Sequence, residues 1–471
     1  MHLSERVRAH LERLHTPYAL VPRTGAETGA LGEAAEASRI DPGSLVRAVL
    51  LQDEQGLLLA ILPATHLIDF QTLRERLGRN LKPAAPELVA ATFPDCETGC
   101  VPPLGIPYGL AAIIDDGLAS SGPIHFEAGY RDSLIRIQGY DFRILHADSL
   151  HAPIARPVSV LESRDSRDFM LPGELDRRHP LTALRPHEDI RRAVERIDRL
   201  PSMPEMANRL LRLRNDPHAG IQELSDIIQY DPSLTAQIIR YARSAFFGFR
   251  GNIDTLPQAI TRVLGFETVL NMSLGLAASR TFRNPADGPL GLQNFWRHAA
   301  YSAALAQALA KLIGPRLPLQ PGLAYLAGLL HNFGFLLAGH LFRAEFFLLN
   351  RVVAANPQIP VPLIERRVLG VDHTEMGAWL MSAWNMPEAV VVTCREHHNE
   401  AYAGEHAEYA QLIQCIDHLL RAHNMGDGTE AEPPTAILAA LGLDLQSARE
   451  ITATLFESSS ALDAMARQLA A

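Results

Sequence analysis

The chain has 471 residues, of which 43 are Lys or Arg and 53 are Asp or Glu, so its formal net charge at pH 7 is −10. This balance excludes a uniformly basic nucleic-acid binder, although it permits a local basic groove. The length is about three times that of a typical ~150-residue domain and predicts two or three domains. Four cysteines are too few for a disulfide framework, which predicts a reducing compartment.

The N-terminal segment MHLSERVRAHLERL carries several charges and no uninterrupted apolar run, which is not the pattern of a signal peptide. We find no continuous run of the ~18 charge-poor apolar residues that a bilayer-spanning helix needs. Residues 323–341 are the most hydrophobic segment, but His331 and Asn332 interrupt it, and we expect a buried helix end. The sequence therefore predicts a cytoplasmic protein without membrane association.

Short apolar runs alternate with helical patterns in residues 1–150. Residues 47–52 and 56–62 are apolar and are separated by a turn sequence, which predicts a β-hairpin. A third apolar run covers residues 108–114. Residues 70–77 have a charged helical pattern that ends at Gly78, as a C-cap does. We expect an α/β domain with a curved or mixed sheet.

The composition changes after residue 150. Residues 151–195 are rich in Arg, Asp and Pro without a sustained apolar period, which predicts a linker. From residue 196 onward the apolar spacing is helical, and Asp231-Pro232 has the pattern of an N-cap followed by proline. We therefore predict an all-α domain over residues 196–400 and a C-terminal helical extension over residues 401–471.

Histidines from several predicted helices form the chemically richest pattern in the chain. Imidazoles and carboxylates from separate helices can converge on one or two divalent metals and activate water for phosphoester hydrolysis. Each histidine taken alone is more typical of a core or surface position, so only tertiary structure could assemble such a site. The series is His298, His331, Asn332, His373, His397, His398 and Asp417.

The helical half resembles the HDOD domain, a helical relative of the HD and HD-GYP metal phosphohydrolases. The resemblance starts at Leu200-Pro-Ser-Met-Pro-Glu and continues through Asp231-Pro-Ser-Leu-Thr-Ala. It extends to about residue 400 through Trp296-Arg-His298, Ala327-Gly-Leu-Leu-His331 and Gly370-Val-Asp-His373. HDOD domains are generally regarded as non-catalytic signalling modules.

The resemblance implies that the histidine series occupies the metal-ligand positions of HD-GYP enzymes, with Fe or Mn as candidate ions. The chain departs from those enzymes at Asn332, where they have Asp, and at Phe335, where they have Lys after Gly334. An asparagine offers one neutral oxygen and cannot compensate two adjacent cations. We therefore expect a degenerate site with a weakened dinuclear centre.

Residues 1–150 resemble the YbaK/prolyl-tRNA synthetase editing family, which hydrolyses mischarged aminoacyl-tRNA. The matching segments are Ile40-Asp-Pro, Leu59-Ala-Ile-Leu-Pro-Ala64, Gly99-Cys-Val-Pro-Pro103, Ile113-Ile-Asp115 and Glu127-Ala-Gly129. The resemblance implies substrate contacts from Arg47, Gly99, Pro103, Asp115 and Gly129, and it leaves the catalytic residues unknown. Arg47 falls where the family has a functional lysine, and a guanidinium does not replace an ammonium group.

Three functions are compatible with these features. The leading interpretation is a cytoplasmic, bacterial-type signalling or regulatory protein that binds a partner protein or a small ligand. The second is an active aminoacyl-tRNA deacylase with a regulatory helical domain. The third is a metal-dependent phosphohydrolase that acts on a nucleotide or a cyclic dinucleotide. The sequence does not identify the partner, the ligand, the amino-acid specificity or the oligomeric state.

Overall fold

A computed structural model describes residues 1–23, 40–97, 99–118, 122–157, 201–244, 249, 251–279, 281–282, 284, 288–357, 359–423, 425–427 and 432–470. The chain folds into two compact units. Unit 1 comprises Met1–Leu184 and Leu348–Val368, and unit 2 comprises Arg185–Phe347 and Leu369–Ala471.

Unit 1 is built around a mixed β-sheet. Its described strands are β1 (Ala19–Pro22), β2 (Leu45–Asp53), β3 (Gly56–Pro63), β4 (His66–Ile68), β5 (Lys82–Pro83), β6 (Ala112–Asp115), β7 (Pro123–Glu127), β8 (Ser133–Gln138), β9 (Leu150–Ala152) and β10 (Ala155–Pro157). The main sheet has the order β1-β8-β7-β2-β3-β6-β9, with β5 beside β2, and β10 pairs with β4. β2 is antiparallel to β3 and parallel to β7, which confirms the predicted mixed sheet.

Helices cover both faces of this sheet. They include α1 (Glu5–Arg13), α2 (Phe70–Leu77), α3 (Pro86–Thr92) and α4 (Gly139–Leu145). One core joins Val46 and Leu50 of β2 to residues of α1 and α4, and the opposite core joins Leu51 to residues of α2. Alternation along β2 therefore places Arg47 on the face of Leu51.

The local predictions for this unit are largely confirmed. β2 and β3 form the expected hairpin, with Ala48 opposite Ile61. α2 ends at Gly78, whose φ of 63° is the left-handed conformation that glycine adopts readily. The third apolar run is only partly a strand, because Ile106–Tyr108 forms a short 3-10 helix before β6 begins at Ala112.

The boundary of unit 1 differs from the predicted one in two respects. Residues 151–152 and 155–157, at the start of the predicted linker, belong to β9 and β10, while residues 158–195 lie outside the described residues. Leu348–Val368 belongs to unit 1 although it lies inside the predicted helical domain. Ala355 from this segment is buried in the same core as Leu51 and Leu58.

The described elements after residue 200 are helical, as predicted. They are α5 (Glu205–Arg214), α6 (Ile221–Gln229), α7 (Pro232–Ala242), α8 (Leu256–Ala259), α9 (Phe266–Ser279), α10 (Leu292–Ile313), α11 (Pro321–Leu330), α12 (Phe333–Leu341), α13 (Arg343–Ala355), α14 (Val361–Val368), α15 (His373–Ala383), α16 (Glu388–Glu396), α17 (Ala407–Arg421), α18 (Thr435–Leu441), α19 (Leu445–Glu457) and α20 (Ser460–Ala470). Asp231 caps α7 by accepting a hydrogen bond from the Leu234 amide, which confirms the predicted N-cap.

One segment of unit 2 has the length and composition of a membrane-crossing helix. The most apolar 18-residue window of Pro321–Leu341 has a mean hydropathy of 1.3 and is completely buried. The segment is two helices, α11 and α12, separated by His331 and Asn332. The buried position that we expected for this hydrophobic segment is confirmed.

Candidate metal and ligand sites

The predicted histidine series converges in unit 2 because most of its members lie at helix ends. His331 is the C-cap of α11, and Asn332 precedes α12. His373 begins α15, while His397 and His398 follow α16. His298 and Asp417 project from the middle of α10 and from α17, respectively. Helix ends bring side chains from separate helices to one place.

The first of two groups, here called the Asp417 group, contains His298, His331 and Asp417. Asp417 Oδ1 lies 3.1 Å from His298 Nε2 and 3.7 Å from His331 Nε2. All three side chains are buried. One donor atom from each lies within 4.8 Å of the others, so the group could hold a metal ion.

The second group, here called the Asp427 group, contains His373, His397, His398 and Asp427. Asp427 Oδ2 lies 3.1 Å from His398 Nε2 and 3.3 Å from His373 Nε2. The Nε2 atoms of His373 and His397 are 3.2 Å apart. The two groups are adjacent, since the ring centroids of His331 and His397 are 4.9 Å apart.

Backbone carbonyls orient two of these rings. His331 Nδ1 lies 2.8 Å from Gly328 O, and His397 Nδ1 lies 3.0 Å from both Thr393 O and Cys394 O. A carbonyl oxygen only accepts, so Nδ1 donates and Nε2 keeps its lone pair. Metal-binding histidines typically show this arrangement.

The electrostatics of both groups suit a cation. Burial lowers the pKa of His331 to about 4 and the pKa of His397 well below its usual value, so both rings are neutral near pH 7. Burial alone would raise the pKa of Asp427, yet the nearby histidines, chiefly His398, hold it well below its usual range. Within the described residues, His331 Nε2, both Asp417 carboxylate oxygens and Asp427 Oδ1 are buried without a well-oriented hydrogen bond. These donors fit a divalent metal.

The two departures from the catalytic pattern have structural roles. Asn332 Nδ2 donates to His298 Nδ1 at 3.3 Å. Phe335 stacks on the ring of His373, with centroids 4.0 Å apart and planes inclined by 21°. An aromatic contact therefore occupies the position where the resemblance places a phosphate-binding lysine.

Sequence reasoning missed Asp427. It lies in the loop after α17, beyond the segment that carries the HDOD resemblance, where Met425-Gly-Asp427 reads as an ordinary turn. Gly426 has a φ of 92°, and a Cβ there would lie 3.0 Å from His298 Nε2. The loop thus passes close to both groups, and only its tertiary placement reveals Asp427.

Arg47, the predicted substrate ligand of unit 1, is buried. Its guanidinium donates to Ala355 O at 3.1 Å, His66 O at 2.9 Å and Asn356 Oδ1 at 2.9 Å. Burial lowers the pKa of Arg47 to about 9, so the side chain remains charged near pH 7. These bonds attach the segment Leu348–Val368 to β2.

The predicted Gly99–Pro103 loop packs against a buried carboxylate. Glu127 accepts from the Val101 amide at 3.0 Å and pairs with Arg23 at 3.3 Å. Burial raises the pKa of Glu127, and Arg23 opposes that effect. Gly99 has a φ of 89°, which favours glycine, and Pro103 is buried.

Asp115 and Gly129 occupy tightly packed positions. Asp115 accepts from the Gly117 amide at 2.9 Å and the Ala155 amide at 2.7 Å. Gly129 has a φ of 92°, and a Cβ there would lie 2.8 Å from Cys96 Sγ. Asp115 therefore links the end of β6 to β10, while Gly129 allows the backbone to pass close to Cys96.

Comparison with known proteins agrees with the division of the chain into a sheet-containing unit and a helical unit. A family model for the aminoacyl-tRNA editing domain matches residues 26–145, and a model for the HDOD domain matches residues 200–400. A crystal structure of a candidate signal transduction protein from Marinobacter aquaeolei VT8 is 30% identical, covers 100% of both chains and has a TM-score of 0.76. This chain belongs to the family that joins an editing domain to an HDOD domain.

Two further relatives cover less of the chain. An uncharacterized protein from Treponema pallidum (strain Nichols) is 28% identical over 223 residues, which are 47% of this chain and 42% of that protein. The chain thus spans less than half the length of this curated relative. An HDOD domain protein of unknown function from Geobacter sulfurreducens is 24% identical, with a TM-score of 0.47, and the match covers 60% of this chain and 97% of that one.

Proposed function

We propose that this protein is a cytoplasmic regulatory protein whose editing and HDOD domains bind ligands or partners without hydrolysing them. The proposal rests on one observation. At the positions where catalytic relatives have functional groups, the side chains of this protein make contacts with other residues of the same chain. Arg47 and Asn332 form buried hydrogen bonds, and Phe335 packs on His373. The similarity to a candidate signal transduction protein supports the same role.

In the editing domain, Arg47 would have to break several buried hydrogen bonds to reach a substrate. Each hydrogen bond to a charged group contributes about 1.5–3 kcal/mol, so this rearrangement is costly. The amides of Cys100 and Val101 already donate to Glu97 O and Glu127 Oε2, so the family resemblance of the Gly99–Pro103 loop is what supports binding of an aminoacyl group. We expect binding of aminoacyl-tRNA or an analogue without hydrolysis.

In the HDOD domain, Asn332 lacks the negative charge that would bridge two metals. The phenyl ring of Phe335 cannot contact a phosphate as a lysine does. These substitutions remove two parts of a phosphohydrolase mechanism. They support a domain that recognises a signalling partner protein or a small ligand.

The proposal is tested with the purified full-length chain. Mischarged aminoacyl-tRNAs, cyclic dinucleotides and a simple phosphodiester are incubated with the protein in the presence of Mn²⁺ or Fe²⁺. We expect no product above the protein-free rate. We also expect a saturable rise in melting temperature with one member of the same ligand panel, because a ligand that binds only the folded state stabilises it.

Matched variants make the turnover assay decisive. If the wild type releases amino acid and Arg47→Ala abolishes release while the exposed Arg136→Ala does not, the protein is a deacylase and the proposal is wrong. Metal-dependent phosphodiester turnover that His331→Ala abolishes would identify a phosphohydrolase instead.

A further inference from the structure

We infer that Asp427 supplies the carboxylate that Asn332 lacks, and that His373, His397, His398 and Asp427 form a divalent-metal site. The site takes one first-row divalent ion before any ion enters the Asp417 group. This inference concerns metal binding alone and holds whether or not the protein is regulatory.

The distances between donor atoms in the Asp427 group are close to the distances between the ligands of a tetrahedral metal ion. Zinc binds imidazole nitrogen and carboxylate oxygen at about 2.0–2.2 Å, so two ligands of a tetrahedral ion lie about 3.3–3.6 Å apart. The separations from Asp427 Oδ2 are 3.1 Å to His398 Nε2 and 3.3 Å to His373 Nε2, and the Nε2 atoms of His373 and His397 are 3.2 Å apart. All four donor atoms lie within 4.8 Å of one another, and four is the number of ligands such an ion takes.

The polarity of these donors also favours a cation. His397 donates its Nδ1 proton to backbone carbonyls, so its Nε2 lone pair faces the other donors. Asp427 is 3% exposed, and its Oδ1 has no well-oriented hydrogen bond among the described residues. The His397 lone pair and the Asp427 carboxylate both lie in a buried space, where a cation between them is favourable.

The Asp417 group is less suited to bind the first ion. It offers three donors instead of four. Asn332 Nδ2 lies 3.3 Å from His298 Nδ1, and His298 Nε2 lies 3.1 Å from Asp417 Oδ1 and 3.4 Å from Ser302 Oγ, so both nitrogens of this ring already have polar partners.

A bound metal would also connect the C-terminal extension to the HDOD domain. Asp427 follows α17 in the loop formed by residues 425–427, whereas the three histidines lie at the ends of α15 and α16. Coordination would therefore fix this loop to those helices. We expect metal to raise the melting temperature of the full chain.

Titration of the full-length chain with Co²⁺ and Zn²⁺ after treatment with a chelator tests the inference. Co²⁺ is followed by the visible absorption of the bound ion, and total metal is measured by mass spectrometry. We expect one tight equivalent in the wild type. Asp427→Asn, which preserves shape and removes charge, should weaken this site by at least about 100-fold.

Three further variants separate the alternatives. Asp417→Asn and the exposed Asp226→Asn should retain the tight equivalent, whereas Asn332→Asp should add a second one. The assignment fails if the folded wild type binds neither ion, or if Asp427→Asn binds as tightly as the wild type. It also fails if Asp417→Asn, instead of Asp427→Asn, removes the tight site. If Asp427→Asn does not fold, X-ray absorption of the Co²⁺-loaded wild type must show three imidazoles and a carboxylate oxygen.

Discussion

The buried contact between Arg47 and Asn356 has a measurable energetic role. Asn356 is 1% exposed, accepts from Arg47 through Oδ1 and donates to Val352 O at 2.8 Å. Asn356→Ala would leave a buried guanidinium short of an acceptor, and we expect it to lower the free energy of unfolding by about 2–4 kcal/mol. Urea denaturation followed by circular dichroism measures this change. The exposed Asn80→Ala should change stability by less than about 0.5 kcal/mol, and equal effects of the two variants would contradict the assigned role.

His146 predicts a pH dependence of stability. Burial lowers its pKa from 6.5 to about 4, nearby His151 and His10 add to this effect, and the Pro103 carbonyl opposes it. The unfolded state therefore binds a proton more tightly than the folded state, and stability is lost as pH falls from about 6.5 toward 4. The contribution of this residue is about 2–3 kcal/mol.

Denaturation midpoints measured between pH 7 and pH 4 test the role of His146. The His146→Gln variant should lose less stability than the wild type over this range. The exposed His15→Gln variant is the matched control and should follow the wild type. A His146→Gln profile that runs parallel to the wild type would contradict the prediction.

At the scale of elements, two glycines bring the helices of the metal groups together. A Cβ at Gly328 would lie 2.8 Å from Ser302 O of α10, and a Cβ at Gly334 would overlap the carbonyl of His373. These glycines flank His331 and Asn332 in the sequence. Close packing of α11 and α12 against α10 and α15 is therefore a condition for the convergence of the histidines.

Gly334→Ala should separate α12 from α15. We expect a loss of at least about 1–3 kcal/mol in the free energy of unfolding, because overpacking a buried contact forces the backbone to move. Tight Co²⁺ binding should weaken in the same variant, since His373 begins α15. Gly43→Ala is the control, because its Cβ would meet nothing closer than Asp41 Oδ1 at 3.4 Å. Unchanged stability and unchanged Co²⁺ affinity in Gly334→Ala would refute this account.

The sequence was informative where local chemistry decides the structure. The β2–β3 hairpin, the Gly78 cap and the Asp231 cap each depend on a few neighbouring residues, and all three are confirmed. The family resemblance identified the histidines, because their motifs lie on successive helices. Asp427 and the placement of Leu348–Val368 in unit 1 depend on contacts between distant parts of the chain, which no local pattern encodes.

At the scale of the whole molecule, the charge of −10 opposes tight binding of a polyanion. We expect tRNA to bind no tighter than about micromolar at physiological salt, with fewer than about three phosphate contacts. Filter binding between 50 and 200 mM salt measures both quantities, with free amino acid and an aminoacyl analogue as controls. Nanomolar affinity with a steep salt dependence would show that a local basic groove dominates over the net charge.

The chain returns to unit 1 at Leu348, and this determines when unit 1 can finish folding during synthesis. The last described strand of unit 1 ends at Pro157, yet Ala355 and Asn356, which complete one core and bind Arg47, are encoded about 200 residues later. A ribosome that adds about 5–20 residues per second needs about 10–40 s to produce them. During that interval one core lacks Ala355, and the Arg47 guanidinium lacks two of its acceptors, Ala355 O and Asn356 Oδ1. The first half of this protein therefore depends on the second half to finish folding, and chaperones have a defined period in which to act.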